Sequence, residues 1–141
     1  MPKLNSLLSK LRADYPDLNF TRAERFQFSP PATVFYDPSE TEPLLLLHEV
    51  GHYLSKQYDY SSDIELLRIE SIAWEQAHQI CARYGVAWDD DFAQERLDSY
   101  RDWLHANSLC SNCQISGYQD TAGLYHCPLC AKKWQRKYIP D

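Results

Sequence analysis

Leu44-Leu45-Leu46-Leu47-His48-Glu49-Val50-Gly51-His52 is the stretch on which the reading of this chain turns. It is an apolar run closing in an HExxH pentapeptide. On an α-helix, residues i and i+4 share a face, so His48 and His52 can grip one metal ion together. Glu49, one step round, is then placed to take a proton from an attacking water. The spacing puts Leu44 and Leu47 on the core side. Gly51 costs about 1 kcal/mol against alanine in mid-helix, so its place between the histidines implies close packing of a neighbouring segment. Pro43 suits a first turn, and the helix is expected from near Thr41 to about Gln57.

Outward from this helix, Leu4, Leu7, Leu8 and Leu11 give residues 4–15 a helical period that Pro16 ends. Residues 19–37 change texture. Phe20, Phe26 and Phe28 alternate with polar residues, Pro30-Pro31 intervenes, and Thr33-Val34-Phe35-Tyr36 follows. That pattern predicts two short strands with a turn or irregular link between them. Ser62-Asp63-Ile64-Glu65 reads as a capping box opening a long helix, apolar from Ile64 to Tyr84, with Gly85 as its C-cap. Asp89-Asp90-Asp91 supplies N-terminal carboxylates for a last helix to about Ala106.

A catalytic zinc needs a third protein ligand and an open fourth position. The long helix offers Glu70, whose neighbours Leu66, Ala73, Trp74 and Ala77 mark the buried stripe. A carboxylate there is costly unless a cation compensates it. A metal would do so, and a buried salt bridge to Arg22 or Arg25 is the alternative. Glu75, beside Ser71, His78 and Gln79, belongs to a solvated face, and Glu65 is used by the capping box. The small Ala73 and Ala77 would let the two helices approach. Cys81 continues the buried stripe and reads as a small packed hydrophobe rather than a nucleophile.

The C-terminal segment carries Cys110-x2-Cys113 and, after thirteen intervening residues, Cys127-x2-Cys130. Two such knuckles close a tetrahedral thiolate shell around a structural zinc. Gln114 to Tyr118 and Leu124 to His126 are expected to pair as strands across an Asp120-Thr121-Ala122-Gly123 turn. Here the metal is folding energy, because so small a module has little core. Tyr118, Tyr125, Trp134 and Tyr138 with Lys132, Lys133, Arg136 and Lys137 admit two uses. They can cover the module's core and dock it, which is favoured, or stack on bases and reach phosphates.

With 141 residues, 44% hydrophobic content and four glycines, the chain fits one compact domain with a small appended module. The longest aliphatic run is four leucines, far short of a membrane span, and the N-terminus lacks the pattern of a signal peptide. A cytoplasmic protein is expected, and its paired CxxC units point to zinc rather than disulfides. Residues 1–107 carry a net charge of −8 and residues 108–141 a net charge of +2. The acidic body argues against broad nucleic-acid binding.

HEVGH followed by Glu70-Ser71-Ile72-Ala73-Trp74-Glu75-Gln76-Ala77 resembles the ImmA/IrrE-like zinc metallopeptidases, which read HExxH then ExxA across a helix pair. The resemblance covers about residues 1–85. It implies His48, His52 and Glu70 as zinc ligands and Glu49 as general base, in a gluzincin-type peptidase cleaving a protein or peptide substrate. A zinc ribbon after an HExxH domain is also similar to SprT-like proteins, which act on DNA-bound proteins. Their third ligand is a histidine, for which only the polar-face His78 is available. The expected architecture is therefore α+β: a mostly helical zincin-like domain with a small sheet (residues 1–107), then a four-cysteine zinc ribbon (residues 108–141). One catalytic and one structural Zn²⁺ are expected; the alternative is a binding or adaptor module that keeps the zinc fold without turnover, which would need the two histidines but has no mechanistic need for Glu49. For the donor that helps hold a developing oxyanion, Tyr53, Tyr58, Tyr60 and His78 are candidates, and the segment 33–36 is the candidate edge strand for a bound peptide.

Overall fold

A computed structural model describes residues 2–136, with side chains from Leu4 onward. Lys137 and Tyr138 of the tail lie outside the described residues. The chain is α+β, with four helices and two three-stranded sheets among the described residues. It gathers into two compact units, residues Met1–Tyr58 with Ile69–Asp89, and residues Asp59–Arg68 with Asp90–Asp141. No helix among the described residues is long and apolar enough to cross a membrane.

In the first unit, α1 (Pro2–Asp14) buries Leu4, Leu7, Leu8 and Leu11. The following strands are β1 (Asn19–Arg22), β2 (Gln27–Ser29) and β3 (Thr33–Tyr36). They lie in the order β1-β3-β2, with Asn19 opposite Thr33 in a parallel pair and Phe28 opposite Val34 in an antiparallel one. The expectation of two strands is thus corrected to three. The stretch holding Phe20, Phe26 and Phe28 splits because its halves run in opposite directions along β3. The chain must reverse between them, and it does so where Arg22-Ala23-Glu24-Arg25 interrupts the apolar alternation. Lying between the other two strands, β3 has no free edge, which corrects the expectation that residues 33–36 form an edge strand; the edges of this sheet are β1 and β2.

Helix α2 (Pro43–Ser55) begins with Pro43 in its first turn, and the Glu42 carboxylate accepts a hydrogen bond from the Leu44 amide at 3.1 Å. It ends at Lys56 in the left-handed conformation, φ 55°. Leu44, Leu46, Leu47 and Val50 are fully buried. Helix α3 (Asp63–Cys81) starts with half of the expected capping box. The Ser62 hydroxyl accepts from the Glu65 amide at 3.3 Å, but the Glu65 carboxylate binds the amide of Ser61. Ile64 is 64% exposed, so the buried stripe begins later than expected, at Ile69, and continues through Ala73, Trp74, Ala77, Ile80 and Cys81. A 3-10 turn over Ala82–Tyr84 closes on Gly85, whose φ of 68° suits a residue without a Cβ. Tyr84 then donates to the Asp14 carboxylate at 2.7 Å, tying this turn to the end of α1.

In the second unit, α4 (Asp90–Ser108) buries Ala93, Leu97, Trp103 and Asn107. Strands β4 (Tyr118–Gln119), β5 (Tyr125–His126) and β6 (Lys133–Trp134) form an antiparallel sheet in that order. The turn at Asp120–Gly123 agrees with the sequence expectation, but the first strand is Tyr118–Gln119 rather than Gln114 to Tyr118, because Gln114 is taken up in closing the first knuckle, and β6 adds a third strand. Tyr125 and Trp134, opposite one another, stack at 5.7 Å. Both polar tips are used. The Tyr125 hydroxyl donates to Asp63 at 2.5 Å, and the Trp134 indole N–H donates to the Asn107 carbonyl at 2.6 Å. Asp63, fully buried at the start of α3, also pairs with Arg136 at 3.2 Å, and its amide donates to Gln119 at 2.8 Å. These bonds explain why α4 and the start of α3 group with the cysteine segment, rather than with residues 1–58 as a division after residue 107 would have it. They also occupy Tyr125, Trp134 and Arg136 in packing.

Gly51 of α2 faces Ala73 of α3 so closely that a Cβ built on it would lie 2.1 Å from the Ala73 carbonyl oxygen. That oxygen belongs to helical backbone and has little room to yield. Alanine's better helix propensity is therefore outweighed, and Gly51→Ala should lower the unfolding free energy by about 1–3 kcal/mol in denaturant titration. Stability equal to or above the parent's would contradict this packing.

Candidate metal centre

Among the described residues, two clusters of side chains could hold a metal ion. In the first, ligand atoms of His48, Glu49 and His52 lie within 4.8 Å of one another. One turn of α2 brings the two imidazoles to the same side, at ring centroids 4.6 Å apart. From α3, Glu70 meets both: its Oε1 lies 3.5 Å from His48 Nε2 and its Oε2 lies 2.6 Å from His52 Nε2. His48, Glu49 and Glu70 are all buried. The alternative partners for Glu70 are engaged elsewhere or apart: Arg25 binds Gln27 at 2.7 Å, and Arg22 lines an open pocket with Asn5, Tyr36 and Ser39.

The donor set suits a borderline cation such as Zn²⁺, with two imidazole nitrogens and one carboxylate. Ligands at ~2.0–2.1 Å from a tetrahedral centre stand roughly 3.3–3.4 Å apart, close to the His48–Glu70 separation. The shorter His52–Glu70 contact is a charge-assisted hydrogen bond, whose proton a cation would displace.

Electrostatics separates the two carboxylates. Burial pushes the Glu49 pKa up, against the opposing pull of His48 and His52 and a hydrogen bond from the Phe28 backbone. Burial would also raise Glu70, but hydrogen bonds to His48 and His52 outweigh it and hold Glu70 far below the ordinary carboxylate range. For His52, burial favours the neutral ring, yet the Glu70 hydrogen bond prevails and its pKa is raised. Two carboxylates of opposite tendency therefore meet in one cluster.

Aromatic rings frame the imidazoles. Trp74 stacks on His48 at 4.2 Å, and Phe28 of β2 stacks on His52 at 6.2 Å. Tyr53 and Tyr58 surround Phe28, and the Tyr58 hydroxyl donates to the Tyr53 carbonyl at 3.2 Å. Of the candidate oxyanion donors, Tyr53 and Tyr58 thus share with His52 a contact to Phe28. His78 is exposed and lies flat on Trp88 at 4.3 Å, with Trp74 between Trp88 and His48. Tyr60 belongs to the other unit, beneath Arg136. Sequence alone offers no signal for Phe28 at this site, because its position depends on the register of β2 against β3.

The second cluster is Cys110, Cys113, Cys127 and Cys130, whose Sγ atoms also lie within 4.8 Å of one another. Cys110 and Cys130 are 3.7 Å apart, against about 3.8 Å for the edge of a tetrahedron with ~2.3 Å Zn–S bonds. Each knuckle closes in the same way. The amides of Gln114 and Ala131 donate back to the carbonyls of Cys110 and Cys127, and both residues have positive φ (59° and 62°). The amides of Cys130 and Leu129 donate to Cys127 Sγ at 3.4 Å and bring its pKa down to about 7. Cys113, hydrogen-bonded to Cys130, is pushed up to about 12. Cys81 lies apart, buried, with its thiol on the His78 carbonyl.

Metal content and pH dependence both test this geometry. Metal analysis should find two zinc ions per chain, falling to one in His48→Ala, and a single zinc at the His–Glu site when all four ribbon cysteines are replaced in a protein that stays folded. In chelator-stripped protein, the raised His52 pKa contributes stability present below about 6.5 and lost as pH rises through its folded value. The lowered Glu70 pKa contributes stability present above about 4.5 and lost as pH falls through its folded value. The stability difference between parent and Glu70→Gln should therefore peak between about pH 4.5 and 6.5; a difference independent of pH from about 3 to 9 would contradict the pair.

Comparison with family models, curated proteins and solved structures gives no match, so the reading of this site rests on its own geometry.

Proposed function

We propose that this chain is a zinc-dependent peptidase of the gluzincin type, similar to the ImmA/IrrE-like metallopeptidases, with a zincin-like catalytic domain and a structural zinc ribbon. The observation that carries this reading is the Glu70 carboxylate, brought by a second helix onto both histidines of HExxH. A histidine third ligand, as in SprT-like proteins, is not favoured, because His78 is exposed and stacked on Trp88. His48, His52 and Glu70 would hold the catalytic ion, and the four cysteines the structural one.

A bound Zn²⁺ supplies the Lewis acidity that makes water a nucleophile near neutral pH and polarises the substrate carbonyl. Glu49 accepts the proton of the attacking water on its carboxylate and later gives it to the departing amine. Its buried setting, which raises its pKa, suits a group that must both take and return a proton. Glu70, held ionised by its neighbours, is unsuited to that task and suited to binding a cation. A peptide segment adds to the open edge of β2, where Phe28 meets the catalytic carboxylate, through main-chain hydrogen bonds.

Glu49→Gln keeps the shape of the site and removes the base. On a proteome-derived peptide pool, cleavage by the parent should fall by about 10²–10⁴-fold in Glu49→Gln, with metal content unchanged. Identical cleavage profiles for the two proteins would sink the peptidase mechanism.

A further inference from the structure

The two histidines are restrained in different ways. His52 is hydrogen-bonded to Glu70 through Nε2 and rests on Phe28. His48 is 8% exposed, and its Nδ1 is buried with no hydrogen-bond partner among the described residues. A metal-binding imidazole usually gives its second ring nitrogen to a carboxylate, a carbonyl or a water, and that bond fixes the rotation of the ring. No protein group among the described residues supplies that bond to His48. What lies against it is the indole of Trp74, with centroids 4.2 Å apart and planes 19° from parallel. Trp74 is itself 4% exposed and meets Trp88 edge-on at 6.2 Å. It follows Glu70 by four residues on α3, so one helix supplies both a carboxylate for the centre and a flat wall for one of its imidazoles.

We propose that Trp74 is a positioning residue of the metal centre, its indole face setting the ring plane of His48 in place of a hydrogen bond to Nδ1. A donor nitrogen binds a cation along a lone pair in the plane of its ring, so tilting the ring turns the lone pair away. A stacked indole resists that tilt while leaving Nε2 free. An apolar side chain without a flat face fills the same space but leaves the ring free to rotate. The effect needs a ring more than it needs an indole, so phenylalanine should largely replace tryptophan and leucine should not.

This inference rests on the metal site proposed above, and the test separates the two. In the full chain, the four cysteines act as an internal reference. Chelator competition for Zn²⁺, with Co²⁺ absorption distinguishing thiolate from imidazole coordination, resolves the two sites. Trp74→Leu should weaken the imidazole site by about 10–100-fold and leave the thiolate site unchanged, whereas Trp74→Phe should stay near the parent. A residue that served only packing would lower the melting temperature without that selective loss of affinity. Leucine binding as tightly as the parent, or phenylalanine losing as much as leucine, would overturn the proposal. Should the leucine variant fail to fold, parent protein labelled with 5-fluorotryptophan gives the answer without a packing defect. The Trp74 resonance, assigned with Trp74→Phe, should shift as the second equivalent of Zn²⁺ binds, and an unmoved resonance would overturn the proposal. A parent that takes up only the thiolate-bound ion would overturn the site and the inference together.

Discussion

Glu70 can reach the HExxH histidines only if two helices come nearer than ordinary side chains permit, and the Gly51–Ala73 approach supplies that nearness. With no Cβ on α2 and only a methyl group on α3, helix backbone meets helix backbone at the level of the ligands. The glycine carries a helix-propensity penalty of about 1 kcal/mol. What that arrangement makes possible is a cluster of two buried carboxylates and two imidazoles in mutual contact. Such a cluster is costly for a protein unless charge is balanced within it, and two carboxylates facing two histidines are balanced best by a divalent cation.

The two ligand clusters differ in how the backbone serves them. At the cysteines, the second knuckle aims the amides of Leu129 and Cys130 at the Cys127 sulfur, and both knuckles hold a residue, Gln114 or Ala131, in the left-handed conformation, so main chain and thiols are shaped together. At the histidines, regular helix supplies the spacing and aromatic side chains restrain the rings. The first arrangement suits a closed shell and the second an open one.

Features set by local spacing were legible in the sequence. His48 and His52 share a face because four residues make about one helical turn. Glu70 betrays itself as a charge within an apolar stripe, and the cysteines as two short repeats. Features set by long-range pairing were not. The splitting of the stretch after Pro16 into β1 and β2 depends on each pairing with β3 in a different sense, and nothing near Phe26 announces that reversal. Likewise Phe28 reaches His52 only through the register of its sheet. Ile64 reads as core because helical periodicity cannot tell where along a helix its neighbours stop. Asp63 reads as an ordinary first-turn acid, while the partners that bury it, Tyr125 and Arg136, lie more than sixty residues away.

The burial of Asp63 bears on how far the cysteine-rich segment is portable. An acid at a helix N-terminus is at home in water, where the helix dipole favours it and solvent completes its shell. Here solvent is replaced by a phenol and a guanidinium from the C-terminal segment. A fragment ending before Tyr125 would therefore carry an acid shaped for partners it no longer has, and a host given this ribbon would need a carboxylate at the matching helix end to receive it. In this chain, one buried aspartate helps to set where the cysteine-rich segment packs.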